Sequence, residues 1–340
     1  MNSTYQVVQT DGIRLNANES PFPISSECLN EIHDAIANID FHRYPDDTHE
    51  QLKEEYAKYL KVNSDQLIMG NGSDEMIGLL IATQISKGDC VYTMEPDFSM
   101  YDYYTHLHEG VMKKYPYPLD QPFDVQAFIE QGKAAKAKLV MFSNPNNPCG
   151  QCIPQSDLIK IIEAFHDCYV VIDEAYGEFS DTSMLPYLNQ YDNLIILRTM
   201  SKAFGMAAIR CGCMVGTKTA VSKLLPYKVP YNINSLTQAC AVVLLRHSQA
   251  MKENIRTLIA ERERMLREIQ KADLSDVTIY PSKANYLYGT SSNKHAFLDA
   301  LKSHNIIIRD YAQNDSFRIS IGTPQENDLV LNIIKQVFSN

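Results

Sequence analysis

The sequence contains no run of eighteen apolar residues and no basic start followed by an apolar segment. The first absence excludes a membrane-spanning helix, and the second predicts that there is no secretory signal peptide. Basic residues are also scarce, because 31 Lys and Arg stand against 41 Asp and Glu, for a net charge of −10. Nucleic acids and anionic membranes attract basic surfaces, so neither is an expected partner. A local pocket for a small anionic ligand is compatible with this charge.

Two Cys or His pairs at the spacing of a metal site are also lacking. The eight cysteines include two close pairs, Cys149/Cys152 and Cys211/Cys213, but no second Cys or His pair stands at zinc spacing. A chain of 340 residues needs no disulfides to hold it together. We therefore expect reduced thiols packed inside a cytoplasmic protein, and no metal site.

Short apolar runs recur through the first two thirds of the chain. Six of them have the length and the Val, Ile and Leu content of strands buried on both faces. They are residues 66–69, 90–93, 138–142, 169–172, 193–197 and 212–215. Helix-like stretches lie between them, at 74–85, 99–108, 154–166 and 217–225. This alternation predicts an α/β fold with a mostly parallel sheet flanked by helices.

The pattern changes after Tyr231. A long helical segment at 235–271 carries the alternating charges of a solvated helix face, in ERERMLREIQK, and short strand-like runs and two helices follow it. At about 150 residues per domain, two domains are expected. We predict a large domain over 41–235, a smaller α+β domain over 236–340, and an N-terminal segment, 1–40, that packs on the smaller domain.

Two of the predicted strands end in turns suited to a polar ligand. Strand 66–69 runs into GNGSDE at 70–75, where glycines and the free N–H groups of a helix start favour a phosphate. Capping of that helix by Ser73 or Asp74 explains the same residues. Strand 138–142 ends in SNPNNPCG, a turn fixed by proline and asparagine that is either structural or a ligand contact.

Two further strands end in ionisable residues. Asp173 follows the apolar strand 169–172, where a carboxylate is costly unless it caps a helix, binds a metal or meets a cation such as a protonated heterocycle. Lys202 follows strand 193–197 in the run RTMSKAFG, with Arg210 eight residues later. It is a candidate amine nucleophile if burial or a nearby cation lowers its pKa, and a surface lysine otherwise. All four segments lie where ligands collect in a parallel sheet, beyond the carboxyl ends of the strands.

The succession of these segments resembles the fold-type I pyridoxal-phosphate enzymes, specifically the aminotransferases. Further runs are similar to the histidinol-phosphate aminotransferase family: LNANE at 15–19, RYPD at 43–46, PYN at 230–232 and FRISIGT at 317–323. The resemblance extends from about residue 13 to the C-terminus. It implies the fold of a fold-type I PLP-transferase, with pyridoxal 5'-phosphate (PLP) as the cofactor.

The resemblance also implies roles for the residues around the cofactor ring. Lys202 would bind PLP covalently and, once released, would move a proton at the substrate's Cα. Asp173 would keep the ring nitrogen protonated, so that the ring can take up electrons. Tyr176 and Asn147 would hydrogen-bond the phenolic oxygen of the ring, with Asn147 also beside the substrate, and Tyr101 would stack on the ring.

A second set of residues is implied for the cofactor phosphate and the substrate. The phosphate would be bound by Gly72, Ser73, Asp74, Thr199, Ser201 and Arg210. Tyr44 resembles the tyrosine that reaches this phosphate from the neighbouring subunit, which implies a homodimer with shared active sites. Arg318 matches the arginine that binds the substrate's α-carboxylate, and Arg309 matches one near the substrate's phosphate end.

The implied reaction moves an amino group from L-histidinol phosphate to 2-oxoglutarate, giving imidazole acetol phosphate and L-glutamate. The partners are then a small-molecule amino donor and a 2-oxo acid. The chain departs from the family at Cys149, usually threonine, at Ala208, commonly glycine, and at Ser20, aromatic in some members. It also has only a short segment before LNAN, where many members carry an arm over the site. These departures bear on the substrate rather than on the cofactor.

Three other functions are compatible with the same motifs. One is a broad-specificity aromatic amino-acid aminotransferase, and another is an amino-acid-phosphate decarboxylase. The third is a regulatory PLP-binding protein without catalysis. Such regulators carry a DNA-binding module, and no basic helix-turn-helix segment precedes residue 40 or follows residue 320.

Overall fold

The computed structural model describes residues 11–339, which form two β-sheets covered by helices. The strands within these residues are β1 Ile13–Leu15, β2 Leu67–Gly70, β3 Cys90–Glu95, β4 Val111–Pro116, β5 Ala137–Ser143, β6 Tyr169–Asp173, β7 Leu194–Thr199, β8 Gly212–Val215, β9 Val277–Tyr280, β10 Tyr286–Ser291, β11 Ile306–Asp310 and β12 Ser316–Ser320. The helices are α1 Ser26–Ala37, α2 Glu50–Leu60, α3 Ser73–Gln84, α4 Met100–Leu107, α5 Val125–Ala134, α6 Gln155–Ala164, α7 Lys218–Leu224, α8 Ser235–Arg246, α9 Ser248–Lys271, α10 Lys294–Ser303 and α11 Pro324–Phe338.

The larger sheet has seven strands in the order β2-β8-β7-β6-β5-β3-β4. Neighbouring strands from β7 to β4 pair in parallel, whereas β8 is antiparallel to both of its neighbours. Side chains on both faces of the central strands are fully buried, with Val140 and Ile172 on one face and Met141 and Val171 on the other. The predicted mostly parallel sheet flanked by helices is therefore confirmed, and its core lies on both sides of β5, β6 and β7.

The apolar pattern did not predict β4 or α5, and it did not predict the short strand β1. β4 is an edge strand with largely exposed side chains, and its Lys114 pairs with Glu95 and Asp102, so it lacks the apolar run of a central strand. The single helical segment predicted at 235–271 is also wrong. It is two helices, because α8 ends at Arg246 and His247 caps it before α9 begins.

The smaller sheet has five strands in the order β1-β11-β12-β10-β9. β1 pairs in parallel with β11, and the other pairs are antiparallel. This sheet thus combines a strand from the start of the chain with four from its end. The predicted domain boundaries stay predictions, and residues 1–10 of the predicted N-terminal segment lie outside the described residues.

The register of the larger sheet brings the strand-end motifs together. Ser143, at the end of β5, pairs with Asp173, at the end of β6. Asp173 in turn pairs with Leu197 of β7, five residues before Lys202. The chain from Asn16 to Asn18 passes the same edge, since Asn18 Nδ2 donates to the hydroxyl of Tyr176 at 2.8 Å, three residues beyond the end of β6. No helix among residues 11–339 has the length and apolar character that would let it cross a membrane.

Candidate active site

Lys202 lies beyond the end of β7 with its amine directed at the N-terminal segment. Its Nζ donates a hydrogen bond of 2.8 Å to the carbonyl oxygen of Ala17 and lies 5.9 Å from the centre of the Tyr176 ring. Removal of the amine from water, aided by the positive charge of Arg318, lowers its pKa to about 8. An amine with this pKa has a substantial neutral fraction at physiological pH, as a nucleophile requires. The alternative of a surface lysine is wrong.

Asp173 ends β6 as a buried carboxylate. Its Oδ2 accepts a hydrogen bond of 2.8 Å from the hydroxyl of Tyr101, and its Oδ1 accepts one of 3.0 Å from the N–H of Ala175. Burial raises its pKa to about 6. A buried carboxylate with two neutral donors still gains from a cationic partner, and a protonated ring nitrogen is one.

Tyr176 and Tyr101 are buried tyrosines, one in the segment after β6 and the other in the first turn of α4. The hydroxyl of Tyr176 accepts a hydrogen bond of 2.8 Å from Asn18 Nδ2, and burial raises its pKa to about 12. Tyr101 lies in the first turn of α4, and its ring meets the ring of Phe98 edge-on, with centres 5.7 Å apart. Its hydroxyl donates to Asp173, the residue predicted to pair with the ring nitrogen of PLP, and the sequence did not indicate this contact.

The turn after β2 has the shape of an anion cradle. Gly72 is the N-cap residue of α3, so the alternative in which Ser73 or Asp74 caps that helix is wrong. A Cβ atom on Gly72, whose φ is +79°, would lie 2.7 Å from Arg210 Nη2. Arg210 Nη1 donates to Ser201 Oγ at 3.1 Å, and its Nη2 lies 3.4 Å from Asp74 Oδ2.

Thr199 completes this cradle from the end of β7. Its Oγ1 accepts a hydrogen bond of 3.1 Å from Ser201 N–H, which holds the Ser201 hydroxyl next to Arg210. A helix start with unsatisfied N–H groups, a guanidinium and hydroxyl groups is the donor set that phosphate prefers. The structure thus brings together all six residues predicted for the cofactor phosphate within one chain.

The three asparagine side chains of the turn after β5 have two functions: two of them stabilise the turn, and one faces the candidate site. Asn144 Oδ1 accepts from Ile153 N–H at 2.8 Å, and Asn146 Oδ1 accepts from Cys149 N–H at 3.1 Å, so both amides hold the turn itself. Asn147 instead points its Oδ1 at Arg318, whose Nη1 donates to it at 2.5 Å. Only one of the three asparagine side chains is therefore offered to a ligand.

Arg318 and Arg309 lie directly opposite each other on β12 and β11. Residues opposite in an antiparallel pair point to the same face, and like charges there repel. Arg318 Nη2 also donates to the carbonyl oxygen of Asn16 at 3.0 Å, and its guanidinium lies 5.1 Å from the centre of the Tyr286 ring. Arg318 lies beside Asn147 and Arg309 lies on the same face of the sheet, an arrangement that favours a bound anion.

Tyr44 is placed differently from the other predicted site residues. It is 80% exposed and stacks on Tyr231 with ring centres 4.7 Å apart. Its exposure in a single chain contrasts with the burial of Tyr101 and Tyr176.

Two other motif residues, Arg198 and Glu174, belong to a buried cluster of ion pairs. Arg198 is buried, and its guanidinium forms ion pairs with Glu174 at 3.0 Å and with Glu178 at 2.8 Å. These pairs tie the end of β7 to the segment after β6. Asp173 is adjacent to Glu174, and Lys202 follows Arg198 by four residues, so the cluster joins the two segments that carry them.

Sequence reasoning missed Asp97 and the parts played by Ala17 and Asn18. Asp97 follows β3, and its carboxylate accepts hydrogen bonds from the backbone N–H and the hydroxyl of Ser143. The rule that ligands collect beyond strand ends would have drawn attention to it. Ala17 acts through its carbonyl group, for which the sequence carries no signal.

The chemistry of these groups fits PLP. Asp173 would pair its buried carboxylate with a protonated ring nitrogen, Tyr176 and Asn147 would bind the phenolic oxygen, and Lys202, an amine of lowered pKa, would react with the aldehyde. The Gly72 cradle, which a Cβ atom would fill, would hold the phosphate.

Comparisons with known proteins agree with this fit. The family model described as aminotransferase class I and II matches residues 10–334. Histidinol-phosphate aminotransferases of Clostridium novyi (strain NT) and of Caldanaerobacter subterraneus are 36% and 35% identical, over 95% and 96% of this chain and 91% and 93% of theirs. The crystal structure of the histidinol-phosphate aminotransferase of Sinorhizobium meliloti in complex with pyridoxal-5'-phosphate is similar, with a TM-score of 0.85 and 25% identity. The similarity covers 96% of this chain and 90% of that one.

Proposed function

This chain belongs to the aminotransferase class I and II family, a family of PLP enzymes, and from that membership we propose that it acts on L-histidinol phosphate. In this reaction 2-oxoglutarate accepts the amino group, and the products are imidazole acetol phosphate and L-glutamate. The relatives named above support this choice, as does the resemblance of the motifs.

The pairing of Arg309 with Arg318 is the observation that carries the proposal. One arginine suffices for an α-carboxylate, whereas a phosphate with up to two negative charges is matched better by two. L-Histidinol phosphate has a phosphate and no carboxylate, and glutamate has two carboxylates. A site with two guanidinium groups on one face accommodates both kinds of substrate in turn, and the bound anion offsets the repulsion between the arginines.

The residues have distinct tasks in the reaction. PLP, when bound, supplies a carbonyl carbon for the amino group and a ring that accepts electrons. Lys202 Nζ would bind the cofactor and, when free, would take a proton from the Cα of the amino donor and, in the second half of the reaction, add one to the Cα of the amino acid that forms. Asp173 holds a proton on the ring nitrogen through its buried carboxylate.

The remaining polar groups orient the reactants. Tyr176 and Asn147 fix the tilt of the ring through its phenolic oxygen, with Asn18 holding the Tyr176 hydroxyl at 2.8 Å. Tyr101 packs against the ring and contacts Asp173. The six residues of the Gly72 cradle bind the cofactor phosphate, and Arg318 and Arg309 bind the carboxylate or phosphate of the substrate.

The active unit we propose is a homodimer in which Tyr44 serves the partner's cofactor phosphate. Exposed apolar side chains gather in the two segments around Tyr44 and Tyr231, and include Phe41, Tyr227 and Val229. A patch of this kind on a folded chain is the mark of an interface, and a symmetric dimer covers the same patch on both subunits. The proposed compartment is the cytoplasm, which is supported by eight cysteines without a disulfide.

The choice of substrate is tested with purified enzyme and 2-oxoglutarate, by measuring glutamate formed from L-histidinol phosphate, L-histidinol and L-phenylalanine. We expect the highest kcat/KM with L-histidinol phosphate, and a large loss with L-histidinol because its phosphate is missing. Good turnover of phenylalanine without turnover of L-histidinol phosphate would instead establish the aromatic aminotransferase. Release of carbon dioxide from an amino-acid phosphate, with no glutamate formed, would establish the decarboxylase.

A further inference from the structure

Asp97 accepts hydrogen bonds from the adjacent residue of its own loop and from the last residue of β5. It lies between β3 and α4, and its Oδ1 accepts from the N–H of Phe98 at 2.7 Å and from the hydroxyl of Ser143. Its Oδ2 accepts from the N–H of Ser143 at 3.1 Å. A carboxylate offers enough lone pairs for all three donors, which a hydroxyl or amide side chain does not.

The hydrogen bonds continue from Ser143 into the substrate side of the site. Since the single hydroxyl proton of Ser143 is donated to Asp97, the Ser143 Oγ is left to accept from the N–H of Asn147, at 2.8 Å. Asn147 Oδ1 then accepts from Arg318 Nη1 at 2.5 Å. A continuous series of hydrogen bonds thus joins Asp97 to Arg318.

We propose that Asp97 is a positioning residue that orients Asn147 and, through it, the guanidinium of Arg318 toward the anionic group of the substrate. The proposal rests on the substrate-binding function of Arg318 proposed above. Without Asp97 the Ser143 hydroxyl is free to rotate, and Asn147 loses a fixed acceptor for its N–H. Arg318 then samples orientations that do not meet the substrate's carboxylate or phosphate.

The carboxylate of Asp97 is shielded from water at an energetic cost, which the hydrogen bonds that it accepts offset only in part. Shielding from water raises the pKa of Asp97 to about 8, and the negative charge of nearby Asp173 adds to the rise. The hydrogen bonds from Ser143 and from the N–H of Phe98 favour the ionised carboxylate and oppose this rise.

Other hydrogen bonds hold the asparagine turn after β5, so we expect this turn to stay folded without Asp97. Asn146 Nδ2 donates to the carbonyl oxygen of Pro96 at 3.1 Å, and the hydroxyl of Tyr286 donates to the carbonyl oxygen of Asn146 at 2.6 Å. Asp97 instead fixes the orientation of Asn147, the residue after Asn146.

The test compares Asp97→Ala, Ser143→Ala and the double variant with a matched control, Glu95→Gln. Glu95 is an exposed acid two residues before Asp97 that pairs with Lys114. The dissociation constant of 2-oxoglutarate is measured by the change in cofactor absorbance of the loaded enzyme, alongside KM and kcat for both substrates. Cofactor affinity and Tm are measured on the same preparations, and Asp97→Asn serves if Asp97→Ala does not fold.

We expect each single variant to raise the dissociation constant and KM about tenfold, the equivalent of ~1.4 kcal/mol, with kcat within about threefold of the parent. The double variant is expected to be no worse than either single one, because both remove the same link. Glu95→Gln is expected to have the dissociation constant and KM of the parent. Asp97→Asn is expected to have values between those of the parent and of Asp97→Ala, since its amide keeps one acceptor oxygen. A fall in kcat with an unchanged dissociation constant would overturn the proposal.

The effect is then measured in an Arg318→Lys background. If Asp97 acts through Arg318, Asp97→Ala adds less than about twofold there, whereas full additivity contradicts the inference. Arg318→Lys by itself separates the proposed substrate-binding role of Arg318 from the positioning role of Asp97. If it leaves the binding of 2-oxoglutarate unchanged, the proposed role of Arg318 has failed. If it weakens binding while Asp97→Ala does not, only the positioning role has failed.

Discussion

The amine of Lys202 donates a hydrogen bond of 2.8 Å to the carbonyl oxygen of Ala17, a residue 185 positions earlier in the chain. Ala17 follows β1, which belongs to the smaller sheet, whereas Lys202 follows β7 of the larger one. The amine is therefore held at the junction of the two sheets, where Asn18 and Arg318 also meet the candidate site. This placement explains how the amine is shielded from water and acquires its low pKa.

The pKa of Lys202 predicts how fast the cofactor-free enzyme takes up PLP. Only the neutral amine reacts, so the second-order rate of covalent uptake is expected to rise with pH up to about 8 and to level off above it. Stopped-flow absorbance after mixing with PLP measures this rate. Arg318→Met removes a charge that lowers the pKa and is expected to move the plateau to higher pH, whereas Arg318→Lys keeps the charge and the plateau. A rate in the parent enzyme that still rises at pH 10 would contradict the lowered pKa.

Asp173→Asn is expected to reduce kcat by at least about a hundredfold, because an amide cannot hold a proton on the ring nitrogen. Steady-state transamination measures the loss, and absorbance after borohydride treatment checks that the cofactor is still attached to Lys202. Tyr101→Phe removes only the neutral hydroxyl donor to Asp173, so its expected effect is about tenfold or less. Equal losses in the two variants would mean that the charge of Asp173 is not what the reaction needs.

Tyr44→Ala and Lys202→Ala are each expected to be inactive or nearly so, and a purified heterodimer of the two to regain about half of the parent activity. In that heterodimer one site has its own Lys202 and the partner's Tyr44, and the other site has neither. Two affinity tags separate the heterodimer, and turnover per dimer is the measurement. A heterodimer of Lys202→Ala with Asp173→Ala is the matched control, because both residues lie in one chain's site and no intact site forms. Recovery in that control, or none in the test pair, would argue against shared sites.

Arg198→Met is expected to lower the free energy of unfolding by about 3–5 kcal/mol, since it leaves the carboxylates of Glu174 and Glu178 buried without a cation. Denaturant unfolding of the cofactor-free protein, followed by circular dichroism, measures the change. Lys87→Met breaks an exposed pair with Glu109 and is expected to cost less than about 1 kcal/mol. Similar losses in the two variants would show that burial does not govern the Arg198 cluster.

Much of the fold was predictable because its signals are local. The central strands are continuous apolar runs, and these predicted the mostly parallel sheet. β4 could not be predicted in this way, since an edge strand with Lys113 and Lys114 lacks an apolar run. The break at His247 was also hidden, because the residues on both sides of it favour a helix and only the packing of α8 and α9 as separate helices decides where one ends.

The sequence by itself determined which strand-end motifs gather at the candidate cofactor site, because each follows a strand and parallel strands end at one edge of a sheet. It did not determine how those residues are oriented. Asn144, Asn146 and Asn147 are chemically identical, and only their partners in the folded chain separate two structural amides from the one that meets Arg318. The role of Asp97 and the contact between Ala17 and Lys202 likewise depend on segments distant in sequence. Local pattern is enough to place strands and turns, whereas the direction of a side chain is set by long-range contacts that exist only once both sheets have formed.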